Sequence, residues 1–467
     1  MSFIKALFRT KPQVQSVDQA VELRRCLTAT DLTLMGIGAI IGAGIFVLTG
    51  IAAATQAGPG IVLSYLLAAI ACGFAALSYA ELAATFGGCG GAYGYAYAGI
   101  GECFAWIIGW DLLLEYGMDA ATISIGWSGY TQNALHAIGI NLPTSLTTDP
   151  FHGGIANIPA MLIIILIAGI LSLDVKQSAR FNNWIVFIKL SVIALFVGIG
   201  LFHFNPQNWQ PFLPFGAQGI VNGAGLIFFA YIGFDAVATA AEETANPKRD
   251  LPIGIISSLV ICTIIYIIVA GVLTGMAYYP TLNVSSPVAA VLINLGYKFS
   301  AEVIALGAIA GLTTAILAMY YGFTRVFLAM ARDGLLPRAF TKLNKKTQTP
   351  RRLIWTIALV IAGAAGFFPI NDIANLVNIG TLAAFVAVCG TVIVLRHTKP
   401  NLTRSFKTPL SPLTPLIGII LCVYLMSSLP QVTWVSFISW TVIGLVIYFG
   451  FSKRNSLLTD SAVVTGK

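Results

Sequence analysis

At 467 residues the chain is 57% hydrophobic and only 9% charged. A soluble domain carries about 25% charged residues, so this composition excludes one. The net charge of +8 would suit a nucleic-acid partner, but all 26 basic residues except Lys189 and Lys298 fall in the termini, in alternate loops or in the segment ends that flank those loops. That bias orients a polytopic membrane protein.

The apolar runs reach the roughly 20 residues a spanning helix needs. In chain order they cover 31–56, 60–86, 101–135, 156–173, 181–203, 219–243, 251–277, 301–331, 352–368, 374–395, 413–429 and 431–451. These are segments 1 to 12. An even number of spans with basic residues gathered on one side places both termini in the cytoplasm. Residues 1–30 are polar and basic, and no cleavable signal peptide is expected there.

Segment 1 holds Gly36, Gly38, Gly42 and Gly44 within one apolar run. Segment 6 repeats the theme with Gly219 to Gly225, followed by Phe228 to Asp235. Glycine lets a helix unwind and bare its backbone polar groups, which lipid tolerates only beside a cavity. Interrupted helices at matching places in two halves point to a transporter's binding site. The competing reading is close helix packing through small residues.

Segment 2 ends at Glu81, just before the glycine-rich stretch 87–91, which reads as an inner hinge; Glu81 would pair with a basic loop residue. Segment 3 carries Asp111, Glu115 and Asp119 at four-residue steps, each rotated by about 40°. They form one slanted stripe. Asp111 is expected to make an ion pair nearer the cytoplasm, Glu115 to hydrogen-bond within the bundle, and Asp119 to face the substrate, to face a neighbouring helix or to exchange protons. Lys189 lies mid-way along segment 5, about 13 Å beyond Arg180. That is far for snorkelling, and an ammonium at this depth is a functional residue by default. Glu242 and Glu243, where segment 6 meets the cytoplasm, suit either a gate latch or a solvated helix end. The basic run after Arg332 fits a loop facing anionic lipid. Seven dispersed cysteines without CxxC spacing read as core hydrophobes, and four scattered histidines suggest no metal site.

Four stretches together resemble a known family: Gly36–Gly50, Trp110–Tyr130, Phe228–Pro252 and Thr324–Pro337. The chain is similar to the amino acid–polyamine–organocation (APC) superfamily, specifically the cationic amino acid transporter branch and its bacterial relatives, over about residues 20–455. The resemblance implies an all-α polytopic fold of about twelve transmembrane helices, the LeuT-type 5+5 inverted repeat plus two C-terminal helices. The divisions would be a cytoplasmic segment 1–30, a first repeat 31–203, a second repeat 219–395, two further helices in 413–451 and a cytoplasmic tail 452–467.

Gly42, Ala43 and Gly44 would then offer backbone N–H groups to a substrate carboxylate, with Ile41 and Ile45 as walls. Phe229, Ala230 and Ile232 would offer carbonyls to its ammonium, and Phe229 would cover it. By the same resemblance, Lys189 reaches between the break in segment 1 and segment 8, where sodium-coupled relatives hold a cation. An amine there can release and regain a proton. Glu115 would share in coupling. Thr313 and Thr314 in segment 8 suit either sodium or the lysine. Met319 is placed against the substrate's side chain, favouring small or medium neutral amino acids, while Asp119 would favour cationic ones.

The reading is an amino acid importer of the cell's inner membrane, working by proton-coupled symport with alternating access, with the proton as its coupling ion and no other cofactor. The alternative is a uniporter or exchanger of cationic amino acids or polyamines. A major-facilitator carrier usually has a long loop after its sixth span, whereas only Thr244 to Leu251 intervene here. No nucleophile–base pair points to an enzyme. The expected partners are the amino acid substrate and membrane lipid, with no nucleic acid; a small membrane subunit is left open.

Overall fold

The computed structural model describes residue 9 and residues 27–86, 91–172, 179–240, 244–342, 344 and 349–458. Among these residues there is no strand; backbones pair in strand fashion only at one isolated bridge, Leu27 to Thr244. Each of the twelve segments is helical. Segment 1 starts as Ala29–Ile40 and, after a break, resumes as Gly44–Leu48, Thr49–Ala52 and Ala53–Ala57. Segments 2 to 5 are Ile61–Phe86, Glu102–Ala137, Ile158–Ser172 and Ala179–Phe202. Segment 6 is Gly216–Ile227, then the tight turn Phe228–Tyr231, then Ala236–Thr239. Segments 7 to 12 are Pro247–Met276, Lys298–Arg332, Arg351–Phe367, Ile370–Thr398, Leu413–Ser427 and Gln431–Ile447.

Local chemistry explains the ends. Thr28 caps segment 1 through a reciprocal pair: Asp31 N donates to Thr28 Oγ1 (3.3 Å), and Thr28 N donates to Asp31 Oδ2 (3.1 Å). Pro247 opens segment 7, where its missing N–H costs nothing. Asn157 Oδ1 accepts from Ala160 N (3.3 Å) at the start of segment 4 and from Ser128 Oγ (2.7 Å) of segment 3. Seven helical runs among the described residues are long and apolar enough to cross a membrane, and three shorter apolar helices accompany them.

Position in the bundle follows burial. In segment 6, 78% of the most apolar stretch is buried; in segment 12 only 17% is. Segment 6 is therefore central and segment 12 peripheral, with a face left to lipid. Segments 3 and 8 pack along each other and form the longest helix pair. Segment 7 lies on segments 1 and 2, and segment 10 on segments 3 and 11. Segment 12 is fastened to segment 3 by indoles. Trp106 Nε1 donates to Gly444 O (2.8 Å), Trp110 Nε1 to Trp440 O (2.9 Å), and the Trp110 and Trp440 rings stack at 4.4 Å.

The glycine run of segment 6 corrects one expectation. Gly219, Gly223 and Gly225 lie within the continuous helix Gly216–Ile227. A side chain at Gly223 would strike Ala57 and Ser64, and one at Gly225 would strike Ser428. Here the small residues serve close packing. The break lies after them, at Phe228–Asp235, where Gly233 alone takes a positive φ of 118°.

Candidate functional site

The two broken segments meet in the core. Segment 1 leaves the helix at Ile41 (φ −75°, ψ 95°) and re-enters it at Ala43. Segment 6 turns tightly through Phe228–Tyr231 and extends at Ile232 (φ −64°, ψ 138°). A Cβ at Gly44 would overlap the Cα and Cβ of Ala230 and come within 3.0 Å of its N. A Cβ at Gly233 would lie 2.9 Å from the carbonyl carbon of Ala39. The backbones cross in direct contact, and glycine is what permits it. Gly42 differs: the nearest atom to its added Cβ is Ala315 Cβ of segment 8, at 3.8 Å. Ile41, Ala43, Ile45, Phe229, Ala230, Ile232 and Met319 are all buried.

An unwound stretch leaves carbonyls that need donors, and side chains from other segments supply them. Lys189 is wholly buried, and its Nζ donates to Gly38 O (2.8 Å) and Ile41 O (2.9 Å). Its stem lies against Gly311 of segment 8, where an added Cβ would be 2.7 Å from Lys189 Cε. The lysine thus joins segments 5, 1 and 8. Tyr266 of segment 7 has its hydroxyl 2.8 Å from both Ile40 O and Ala230 O, one carbonyl from each break. Its ring sits 5.3 Å from Tyr65 and 5.4 Å from Tyr231. Asn378 of segment 10 donates Nδ2 to Gly225 O (2.8 Å) and Leu226 O (3.0 Å). Tyr130 donates to Phe46 O at 2.7 Å.

The segment 3 acids are brought together with a fourth, Asp235 of segment 6. Asp111, Glu115, Asp119 and Asp235 are all at most 4% exposed. Tyr116 OH donates to Asp235 Oδ2 at 2.9 Å, and Gly233 N to its Oδ1 at 3.2 Å. Both Asp235 and Asp119 lie within electrostatic reach of Glu115. One oxygen each of Asp111, Glu115 and Asp119 has no hydrogen-bond partner. The ion pair expected for Asp111 is not formed among the described residues, where the carboxylate is buried and its Oδ1 has no hydrogen-bond partner. Thr313 and Thr314 are not bonded to Lys189 either. Thr313 Oγ1 donates to Ile309 O (2.7 Å) and accepts from Trp127 Nε1 (2.9 Å), and Thr314 Oγ1 donates to Gly311 O (2.8 Å). Hydroxyls on a membrane helix readily bond the preceding turn.

Near the C-terminal end of segment 2, Glu81 gains the basic partners foreseen for it. Arg396 approaches at 2.7 Å and Arg404 at 3.2 Å, and Thr408 N donates to Oε2 at 2.7 Å. Glu242, Glu243 and the hinge glycines 87–90 lie outside the described residues.

Sequence reasoning assigned no role to Tyr266, Asn378 or Asp235. Asn378, an asparagine well inside an apolar segment, is a usable signal, although Asn375 shares it; one tyrosine among 16 is not.

A bundle of apolar helices, two of them broken and crossing at its centre with their carbonyls held by buried polar side chains, defines a polytopic membrane transporter. The chain belongs to the amino acid permease family of the APC superfamily: the family's sequence profile, described as "Amino acid permease", matches residues 27–452. It is similar to the methylthioribose transporter of Bacillus subtilis (strain 168), at 46% identity over 97% of this chain and 100% of that one. It is 47% identical to the branched-chain amino acid permease BcaP of the same organism, over 94% and 95% of the two chains. The vacuolar cationic amino acid transporter 4 of Arabidopsis thaliana is 35% identical, over 85% of this chain and 68% of the relative. These relatives are named as transporters and permeases, and the chain is a transporter rather than an enzyme.

Proposed function

We propose that this transporter imports small or medium neutral amino acids by proton-linked symport, with the substrate held where segments 1 and 6 cross. The observation that carries the reading is the buried Lys189, whose Nζ donates to Gly38 O and Ile41 O beside the break. A fixed cation there takes the place a sodium ion would need. Charge-assisted hydrogen bonds are roughly twice as strong as neutral ones, so losing the proton would loosen the hold of segments 5 and 8 on segment 1. Proton exchange at Lys189 thereby biases which way the site opens. Glu115 is the second candidate proton carrier.

In this reading the substrate carboxylate takes the N–H groups at Gly42, Ala43 and Gly44, since the first N–H groups of a restarting helix have no partner one turn earlier. The substrate ammonium takes carbonyls at Phe229, Ala230 and Ile232, with Phe229 as the cover and Ile41 and Ile45 as walls. Alternating access rocks segments 1, 2, 6 and 7 against 3, 4, 8 and 9. Residues 31–203 and 219–395 form the two repeats. The protein works in the inner membrane, with both termini in the cytoplasm.

The neutral specificity rests on Met319 and on the branched-chain permease among the relatives. The second reading, a carrier of cationic amino acids, is favoured by Asp119, whose Oδ1 is buried without a partner, and by the cationic transporters among the relatives.

Competition against uptake of labelled leucine separates the two. Leucine, isoleucine and valine should compete strongly and arginine weakly. Met319→Ser, with a shorter and more polar wall, should let arginine compete at least about tenfold better, a gain of about 1.4 kcal/mol. Strong arginine competition in the wild type that is lost in Asp119→Ala would establish the cationic reading instead.

A further inference from the structure

A basic cavity of about 450 Å³ opens at the cytoplasmic end of segment 7, against the loop between segments 10 and 11. Its helix wall carries Lys248, Arg249, Ile253 and Ser257, and its loop wall carries Ser405 and Phe406. Among the described residues neither Lys248 nor Arg249 is paired with a carboxylate. The loop wall is held in place from both sides: Arg404 before it and Thr408 after it are both bound to Glu81 of segment 2. The cavity is thus built between two anchored elements, with two cations that have no carboxylate partner among the described residues, two hydroxyls and an apolar flank.

That flank continues up the same helix. Ile253, Val260, Ile264 and Ile268 are 38%, 52%, 54% and 44% exposed. Their spacing of seven, four and four residues keeps them on one face. From Ile253 to Ile268 the stripe rises about 22 Å, more than the roughly 15 Å of hydrocarbon in one leaflet of a 30 Å core. A cationic pocket continuous with an apolar track of leaflet depth matches one molecule, a phospholipid with an anionic headgroup.

We propose that this cavity is a binding site for an anionic phospholipid of the cytoplasmic leaflet. Lys248 and Arg249 take its phosphate, Ser257 and Ser405 bond the polar headgroup region, and an acyl chain lies along Ile253, Val260 and Ile264. Basic pockets at this depth bind anionic headgroups, with about 1 kcal/mol from each Lys or Arg.

The test is binding of fluorescent phosphatidylglycerol to the purified protein in neutral detergent. Phosphatidylcholine and soluble glycerol phosphate serve as competitors. Two variants are compared at equal net charge: Lys248→Gln with Arg249→Gln, and Lys342→Gln with Arg352→Gln, an exposed pair elsewhere on the cytoplasmic side. The first should bind phosphatidylglycerol roughly thirtyfold more weakly than wild type. The second should bind it as wild type does, and neither competitor should displace it. Equal losses in both variants would mean a general surface attraction and overturn the site. Displacement by glycerol phosphate would mean a soluble-phosphate site, and no loss in the first variant would also refute the proposal.

Discussion

Lys189→Met protein is expected to fold and insert normally yet fail to accumulate substrate against its gradient. Methionine fills much of the same space against Gly311 but donates nothing. Gly38 O and Ile41 O then lose their donor, at about 1–3 kcal/mol for each buried acceptor left unmade. Against that, the change removes a buried charge, whose desolvation itself costs several kcal/mol. The two effects oppose each other, so the melting temperature should move little. What is lost is the bridge from segment 5 to segments 1 and 8. Uptake into proteoliposomes should level off at the external concentration, where wild type exceeds it. Counterflow exchange, which needs no proton movement, should survive in part. Normal accumulation by Lys189→Met would remove Lys189 from coupling.

Gly44→Ala should abolish transport, with at least a tenfold fall in initial rate, while Gly42→Ala leaves the protein as stable as wild type. The difference is steric. A methyl group at Gly44 meets the Ala230 backbone, which cannot move aside as a flexible side chain can. The two segments must separate, and overpacking of this kind costs about 1–3 kcal/mol. At Gly42 the nearest neighbour stands at 3.8 Å, ordinary van der Waals contact. If the N–H groups of this stretch receive the substrate carboxylate, the methyl of Gly42→Ala crowds it, and KM should rise without a change in melting temperature. Thermal melts in detergent alongside uptake kinetics read both quantities. A Gly44→Ala protein transporting at the wild-type rate would mean that the crossing is not kept during the cycle.

These residues also show how far sequence carries. Hydropathy and length locate all twelve segments within a few residues, because lipid forces each span to satisfy its own backbone. Segment 3 is the informative case: it carries four carboxylates, Glu102, Asp111, Glu115 and Asp119, and its helix runs on to Ala137. The break in segment 1 is legible from Gly42 and Gly44. The break in segment 6 was foreshadowed by the wrong glycines: Gly219 to Gly225 pack, and Gly233 turns. Small residues serve both purposes, and only the neighbouring chain decides which. Lys189 announces itself by its depth, but its acceptors lie about 150 residues away in sequence. Tyr266 reaches carbonyls from both breaks through a hydroxyl that no local pattern marks. Asp111 and Thr314 look like interaction partners in sequence, yet one finds no ion pair and the other bonds its own helix.

The most direct test of the account is leucine uptake by the wild-type protein in sodium-free proteoliposomes, with and without an imposed inward proton gradient. Leucine should accumulate above the external concentration when the gradient is present and simply equilibrate when it is collapsed. Accumulation driven by a sodium gradient at equal pH on both sides, or accumulation indifferent to the proton gradient, would contradict proton coupling.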